Sequence, residues 1–270
     1  MNKQYDSRPT PGTIALVGSG EYLDAMNTTD LYLLETLGGA SNARVALLPT
    51  ASGLEENGPD YWNDLGLRHF KHLDVQDVRP TRIIDSASAA DPQQLALLEG
   101  ANFYYLSGGN PQHTIDTLRG SPAWEIIISA YERGAVLAGC SAGAMTLSAY
   151  TIAIRQVFMG QKPGWVTSLG VVPRLVVFPH FDRMANFIDA TTFQELLSTL
   201  PTGIVAVGVD ENTALVRVEA NKTGDPTATG DGPLQELPLQ RWQVMGLQTV
   251  KVFERGKEPH ILHVGEDVML

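Results

Sequence analysis

Seven short runs of apolar and β-branched residues recur along the chain, and most of them are continuously apolar. Continuous runs are typical of strands that are covered on both faces, as in parallel sheets. The segments between several of them repeat apolar residues with helical spacing, as at Leu31, Leu34 and Leu37. This alternation predicts an α/β fold, a three-layer α/β/α sandwich with a mostly parallel central sheet. The runs are residues 13–17, 44–48, 80–84, 102–106, 135–138, 175–178 and 204–209.

The rest of the chain indicates one domain, because we find no internal repeat and no composition break that marks a second one. We therefore predict a single domain over residues 1–270. Residues 1–12 are expected to form a flexible N-terminus, and residues 219–240, rich in Gly, Thr and Pro, a surface loop. Residues 248–253 and 260–264 flank a polar turn sequence and predict a closing C-terminal β-hairpin.

Composition narrows the classes of partner. Thirty acidic and nineteen basic side chains give a formal net charge of -11, which repels phosphate backbones and anionic membranes. A single cysteine excludes an internal disulfide framework and favours a reducing compartment. The sequence has no apolar stretch long enough for a signal peptide or a membrane span. We expect a cytoplasmic protein that binds neither nucleic acid nor membrane.

The candidate nucleophile is Ser141, at the centre of the sequence GCSAG at 139–143. A predicted buried strand runs into this Gly-x-Ser-x-Gly motif, and a helical segment follows it, so a sharp turn would expose the serine Oγ. The alternative is that Gly139 and Gly143 only allow close packing of helix on strand, with Ser141 capping the helix. Cys140 is predicted to point into the sheet as a small core residue.

The candidate general base is His180, one of six histidines. It follows the apolar run at 175–178, and the carboxyl ends of parallel strands meet at one edge of a sheet, where Ser141 also lies. His69 and His72 lie on a charged amphipathic stretch and are expected to be solvated. No metal site is indicated, because no cysteine or glutamate completes a ligand set.

The third member of a triad should be a carboxylate that orients the histidine. No Asp or Glu lies between Ala142 and Pro179. The best candidate is Glu211, directly after the run at 204–209, and Asp210 competes with it. The chain order would then be Ser, His, acid, unlike the order of ordinary α/β-hydrolases.

Two glycine-containing turns follow other predicted strands. The segment SGGNPQ at 107–112 contains two glycines that let backbone N–H groups approach a tetrahedral oxygen closely. The segment GSGE at 18–21 resembles a dinucleotide-binding loop only in part, because the third glycine is missing. We therefore expect no nicotinamide and no other cofactor.

Taken together, these motifs resemble those of the S51 serine peptidases, the family of aspartyl dipeptidase and cyanophycinase, on a class I glutamine-amidotransferase-like, flavodoxin-like fold. The resemblance spans most of the chain. It rests on ALVGSGE near the start, LLPTAS at 47–52, YLSGGN at 105–110, GCSAGAM at 139–145, FPHFDR at 178–183 and GVDENTALV at 208–216.

The resemblance implies residue roles. Ser141 matches the family's nucleophile, His180 its histidine, and Glu211 the acid of cyanophycinase-like members. It also places the oxyanion hole at the amides of Gly109 and Ala142.

Substrate contacts are implied at Asn110, Gln112 and Arg183, and a homodimer is implied by resemblance alone. The pattern around the histidine departs from that of cyanophycinase, since it reads FPHF and the following arginine is displaced by one residue.

The function that the resemblance implies is hydrolysis of an aspartyl peptide or isopeptide bond by a serine-type exopeptidase, through an acyl-enzyme. The partner would be a small peptide or isopeptide. Two alternatives remain open: an esterase that uses Ser141, Asp210 and His263, and a binding protein without catalysis in which Ser141 is only a turn residue.

Overall fold

The structure, a computed structural model, describes residues 10–153, 156–157, 159–218 and 239–270. The strands in these ranges are β1 (Ile14–Val17), β2 (Arg44–Leu48), β3 (Asp77–Pro80), β4 (Phe103–Leu106), β5 (Val136–Cys140), β6 (Ser148–Ile152), β7 (Trp165–Thr167), β8 (Val172–Phe178), β9 (Val205–Val209), β10 (Thr213–Arg217), β11 (Arg241–Gly246), β12 (Thr249–Phe253), β13 (His260–His263) and β14 (Asp267–Met269). The helices are α1 (Asn27–Glu35), α2 (Gly58–His72), α3 (Pro92–Leu98), α4 (Pro111–Leu118), α5 (Pro122–Glu132), α6 (Ala142–Leu147) and α7 (Ala190–Ser198).

The first sheet has eight strands in the order β14-β11-β10-β1-β5-β4-β2-β3. The five consecutive strands β1, β5, β4, β2 and β3 are parallel to one another, whereas β10, β11 and β14 pair antiparallel with their neighbours. Helices cover both faces of the parallel part of this sheet. Its strands are therefore formed by the continuously apolar runs of the sequence. The predicted α/β fold with a mostly parallel central sheet is confirmed.

A second sheet has six strands in the order β13-β12-β9-β8-β6-β7, with β6, β8 and β9 parallel. Our sequence analysis assigned β8 and β9 to the central sheet, because continuous apolar runs report burial but not which strands pair. The predicted C-terminal hairpin is present as β12 and β13, which extend this sheet. The strand predicted at 80–84 ends instead at Pro80, as β3.

Both faces of the first sheet are covered. Alternate side chains of β1 and β4 point to opposite sides: Leu16 and Tyr104 face a core shared with α3 to α6, whereas Val17 and Tyr105 face α1 and α2. This alternation is the period of two that a pleated strand imposes.

Helix α6 lies between the two sheets, in contact with β1 and β5 of the first and with β6 and β8 of the second. All six of its residues are buried. Two glycines allow this close approach: a Cβ on Gly143 would overlap the carbonyl group of Leu106, and a Cβ on Gly139 would overlap the backbone of Gly143. The interpretation that Gly139 and Gly143 allow close packing of helix on strand is therefore correct. This packing does not require the side chain of Ser141, at the start of the helix.

One expectation about the helical layer is wrong. His69, which we expected to be solvated, is only 6% exposed, and its Nε2 lies 2.8 Å from Oδ2 of the buried Asp30. The amphipathic pattern of α2 turns this position inward, beside Phe70. His72, three residues further, is exposed as expected.

Two predicted segments lie mainly outside the described residues: 1–9 of the N-terminus and 219–238 of the loop at 219–240. The chain enters and leaves the second gap through neighbouring strands, since the Val218 N–H donates to the Arg241 carbonyl over 3.0 Å. No helix in the described part of the chain is long and apolar enough to cross a membrane.

Candidate active site

Ser141 occupies the turn between β5 and α6. Its φ of 50° and ψ of -112° are unusual for a residue with a side chain, and its N–H donates to the Val17 carbonyl over 2.9 Å. Its Oγ does not cap α6; it lies 2.9 Å from Nε2 of His180. The capping alternative therefore does not describe this serine.

His180 follows β8 of the second sheet and adopts a left-handed backbone conformation, with φ 49° and ψ 40°. A short 3-10 helix, Phe181–Asn186, begins directly after it. This reversal aims the ring back at Ser141. On its other side, Nδ1 lies 2.9 Å from Oε1 of Glu211. The His180 and Glu211 side chains are 30% and 28% exposed, so the pair borders solvent.

Glu211 lies in the turn that leads from β9 of the second sheet to β10 of the first. Its N–H donates to Oδ1 of Asp182 over 2.9 Å, and its carbonyl accepts from the side-chain amide of Gln248 over 2.9 Å. Asp182 belongs to the short helix after His180, so the loops of the histidine and the acid are tied directly to each other. Our sequence analysis did not identify Asp182 or Gln248.

Asp210, the competing acid, is turned elsewhere. It is buried, and its Oδ2 accepts from the N–H and the hydroxyl of Thr249, over 3.2 and 2.6 Å. His263 of the esterase alternative lies on β13, the edge strand of the second sheet. The structure brings Ser141, His180 and Glu211 together, and the Asp210 side chain bonds to Thr249 instead.

The glycine turn after β4 lies against the serine, since a Cβ on Gly108 would be 3.3 Å from the Ser141 Cβ. The Gly108 N–H donates to Oε1 of Glu21 over 2.9 Å, and the Asn110 N–H donates to the Ala51 carbonyl over 2.7 Å. Gly109 lies between them with φ 138°, and the described residues offer its N–H no acceptor.

Ala142 is the first residue of α6, where a helix leaves its N–H groups without partners within the helix. The described residues offer the Ala142 N–H no acceptor either. The amides of Gly109 and Ala142, which the resemblance assigned to an oxyanion hole, are therefore both without an acceptor in the described part of the chain.

The three implied substrate contacts differ in their surroundings. The Asn110 Oδ1 accepts from the His113 N–H over 3.1 Å and caps α4, and Gln112 donates to Asp116 over 2.8 Å. Arg183 is 60% exposed, and its guanidinium lies 3.7 Å from Glu211 and 3.5 Å from Asp182. Arg155, a further candidate for binding an acidic substrate, lies outside the described residues.

Two buried groups lie directly behind the serine. Cys140 is fully buried, as predicted, but its thiol donates to Oε2 of Glu21 over 2.8 Å. The pKa of this thiol is raised well above its usual range, mainly by burial and further by the nearby Glu21 carboxyl. The thiol therefore stays protonated. Glu21 was not recognised from the sequence, where the segment 18–21 was considered only as a dinucleotide loop. The available signal was an acidic residue in the loop that follows a buried strand.

Among the described residues, no group of three or more His, Cys, Asp or Glu side chains is arranged to hold a metal ion. The polar groups at this site are a serine, a histidine, carboxylates, an arginine and free backbone amides. A serine bonded to a histidine that is bonded in turn to a carboxylate can carry out nucleophilic attack on a carbonyl group, with general-base assistance.

Comparisons with known proteins identify the family of this chain. A family model described as peptidase family S51 matches residues 14–223. A crystal structure of a peptidase from an acI-B1 Actinobacterium superposes with a TM-score of 0.78 at 30% sequence identity, over 97% of this chain and 98% of that one. A protein from Listeria monocytogenes EGD-e that carries a provisional peptidase E name shares the fold, with a TM-score of 0.53 at 19% identity over 77% of this chain and 94% of its own. No curated protein matches the chain.

Proposed function

This chain belongs to peptidase family S51, and on that premise we propose that it is a serine-type exopeptidase that hydrolyses an aspartyl peptide or isopeptide bond. The observation that carries the proposal is the continuous line from Ser141 Oγ to His180 Nε2 and from His180 Nδ1 to Glu211 Oε1, with 2.9 Å at each step. A binding protein without catalysis has no need of this arrangement.

In the first half-reaction, the Ser141 Oγ attacks the carbonyl carbon of the scissile amide while His180 Nε2 takes the hydroxyl proton. The carbonyl oxygen gains the negative charge, and the free amides of Gly109 and Ala142 are the donors for it. Collapse of the tetrahedral intermediate breaks the C–N bond, and the histidine gives its proton to the leaving amine. The acyl-enzyme remains.

In the second half-reaction, water attacks the ester carbonyl and His180 takes its proton, then returns it to the Ser141 Oγ as the acid product leaves. Glu211 acts throughout by accepting the Nδ1 hydrogen bond, which fixes the tautomer of the ring and stabilises the imidazolium. Asp182 supports this role from behind, because it holds the Glu211 N–H.

Among the described residues, Arg183 is an exposed cation at this site that could take part in substrate selection. The Arg183 guanidinium lies beside Glu211 at the solvent boundary, and a planar guanidinium is well suited to bind a carboxylate through two hydrogen bonds. An aspartyl side chain or a terminal carboxylate of a peptide would provide that partner. This favours an acidic peptide or an aspartyl isopeptide as the substrate class.

The test is to incubate the protein with α- and β-linked aspartyl dipeptides and with cyanophycin, using Ser141→Ala as the blank. We expect release of aspartate, or of β-Asp-Arg, that falls by roughly 10⁴-fold or more in the variant, as when the nucleophile of a triad is removed. Folding of the variant should be nearly unchanged, because the hydroxyl bonds only to His180.

Three results would contradict the proposal. Hydrolysis that is the same in Ser141→Ala would exclude Ser141 as the nucleophile. Failure of a serine-directed fluorophosphonate to label the folded wild-type protein would favour a binding protein without catalysis. For an ester substrate, a loss of turnover in His263→Ala but not in His180→Ala would favour the esterase alternative.

A further inference from the structure

The segment of residues 18–22, which we call the Glu21 turn, connects the loops of the site. It follows β1, and its backbone bonds to the loop of the acid: the Gly18 N–H donates to the Thr213 carbonyl over 2.9 Å, and the Asn212 N–H donates to the Ser19 carbonyl over 3.1 Å. Tyr22, at its end, has φ 66°. The turn is therefore held in an unusual backbone shape.

This shape is fixed from two sides. Gly20 has φ 84°, and a Cβ there would overlap the side chain of Asn212. The Tyr22 ring is buried against Tyr105, with 4.9 Å between ring centroids, and against Phe70, at 6.2 Å. Between these anchors the Glu21 side chain points inward and is only 5% exposed.

The two oxygens of Glu21 bond to two different loops of the site. Oε1 accepts the N–H of Gly108, the neighbour of Gly109, over 2.9 Å. Oε2 accepts the thiol of Cys140, the neighbour of Ser141, over 2.8 Å. A single carboxyl group thus joins the residue before the candidate oxyanion donor to the residue before the candidate nucleophile.

We propose that Glu21 is a positioning residue. By bonding to both Gly108 and Cys140, its side chain sets the distance between these two residues and so fixes the Gly109 amide relative to Ser141. The proposal rests on the function proposed above. Its hydrogen bonds go to Gly108 and Cys140 and not to Ser141 or His180, so it acts through the neighbouring residues that it holds.

The glycine turn needs such a restraint. Two adjacent glycines can rotate a peptide group at little steric cost, so their own geometry does not fix the direction of the Gly109 N–H. Beyond Gly109, the turn is held by the bond from the Asn110 N–H to the Ala51 carbonyl. Before it, the restraint is the bond from the Gly108 N–H to Glu21.

The test uses two variants of Glu21 to separate the effect of side-chain length, or reach, from the effect of charge. Glu21→Gln keeps the length and one acceptor oxygen but removes the charge, whereas Glu21→Asp keeps the charge and shortens the reach by one methylene. If Glu21 acts by position, Gln should preserve function and Asp should not. If it acts by charge, the order should be reversed. A further variant, Glu21→Met, keeps the length and removes both acceptors.

The probe is diisopropyl fluorophosphonate, because it requires no known substrate. Ser141 Oγ attacks phosphorus, fluoride leaves, and the hydroxyl proton passes to His180, while the phosphoryl oxygen occupies the place of the oxyanion. We expect Glu21→Asp and Glu21→Met to be labelled about 100-fold more slowly than wild type, as when one oxyanion donor is lost. Glu21→Gln should stay within about threefold of wild type, because an amide oxygen also accepts the Gly108 N–H.

The matched control is Asp30→Asn, which removes the charge of another buried carboxyl that does not contact Gly108 or Cys140, and it should be labelled at the wild-type rate. Circular dichroism and the thermal midpoint verify the fold of each variant. On any dipeptide that wild type hydrolyses, Glu21→Asp should lower kcat and leave KM unchanged, because the lost interaction belongs to the transition state.

Each outcome is decisive. Wild-type labelling of Glu21→Asp and Glu21→Met, with wild type itself reactive, would overturn the role of Glu21 and leave the proposed function intact. Slow labelling of a folded Glu21→Gln would also overturn it, since charge would then matter more than reach. A wild-type protein that the reagent does not label would remove the proposed function, and the role of Glu21 with it.

Discussion

Strained backbone is concentrated around the candidate active site. Five described residues other than glycine have positive φ: Tyr22, Asp74, Ser141, His180 and Asn212. All except Asp74 belong to the Glu21 turn, the nucleophile turn, the histidine loop or the acid loop. Such conformations cost about 1–3 kcal/mol each and persist only where the surroundings enforce them. Here the enforcing contacts include the bond from the Ser141 N–H to the Val17 carbonyl.

The two adjacent acids of the turn after β9 should respond differently to neutralisation. We expect Glu211→Gln to lower kcat by about 10³–10⁴-fold, since a neutral orienting group no longer stabilises the imidazolium or selects its tautomer. Asp210→Asn should keep most of the activity, because Asp210 bonds to Thr249 and not to His180. Steady-state kinetics of the two variants, side by side, measure the difference. A larger loss in Asp210→Asn would identify Asp210 as the orienting acid.

The buried pair of Asp30 and His69 leads to a prediction about how the stability of the protein depends on pH. Burial raises the pKa of Asp30, and the hydrogen bond from His69 offsets this only in part. A carboxyl whose pKa is raised by folding contributes stability below its unfolded pKa, and this contribution is lost as the pH rises through the folded value. At neutral pH the carboxyl therefore costs stability relative to a neutral side chain of the same shape.

Asp30→Asn should consequently have a thermal midpoint at pH 7 that is equal to or above that of wild type. The difference should shrink as the buffer is taken to pH 4, where the wild-type carboxyl becomes protonated as well. Thermal unfolding of both proteins at the two pH values measures this. A variant that is much less stable at pH 7 would show instead that the pair is stabilised as ions.

Sequence reasoning found those site residues whose position follows from the fold rule. Ser141, His180 and Glu211 each lie just after a predicted strand, where side chains of an α/β fold converge. Glu21 also follows a predicted strand, but its role was not assigned, because its partners are a thiol and a backbone amide contributed by residues far along the chain. Sequence reasoning placed His69 in solvent for a similar reason, since its partner Asp30 lies on another helix. Pairings of this kind depend on tertiary packing.

At the scale of elements, α6 begins with three small residues, Ala142, Gly143 and Ala144, where it has to fit between two sheets. We expect Gly143→Ala to destabilise the protein by about 1–3 kcal/mol, because the new methyl group would overlap the Leu106 carbonyl and force the helix away from β4. Gly164→Ala is the control, since its Cβ would enter open space and its φ is not positive. Chemical denaturation of both variants measures the difference; equal midpoints would show that α6 can shift at no cost.

Two of the strands that were not predicted from the sequence, β6 and β7, have weak local patterns. β6 begins directly where α6 ends, and β7 has only three residues, none of them fully buried. Their pairing with each other and with β8 is decided by the second sheet and not by their own sequences. By contrast, β2, which is paired on both sides, was predicted to the residue, because a nearly continuous apolar run leaves few alternatives.

At the scale of the whole molecule, the candidate triad spans both sheets. Ser141 follows a strand of the first sheet, His180 follows a strand of the second, and Glu211 lies on the connection between them. One hydrophobic core includes side chains of both, among them Leu137 and Val177. The 2.9 Å contact between the serine and the histidine therefore depends on how the two sheets pack against each other.

Because the two sheets share a core, we expect a single cooperative unfolding transition. In a urea titration, labelling of Ser141 by the fluorophosphonate and far-ultraviolet circular dichroism should lose their signals at the same midpoint. Loss of labelling at lower urea, with the dichroism unchanged, would show that the sheets separate first and that the chain is not one domain in the folding sense.

The course of β10 and β11 has a practical consequence. β10 starts two residues after Glu211 and runs antiparallel to β1, so it ends at the edge of the sheet opposite to the candidate triad. There Val218 bonds to Arg241, and the chain between them leaves and re-enters at nearly one point. Two ends so close together suit a guest domain whose own termini are adjacent. A fluorescent protein or an immobilisation tag spliced between Val218 and Leu239 would be carried on the back of the enzyme, leaving the entrance to Ser141 unobstructed.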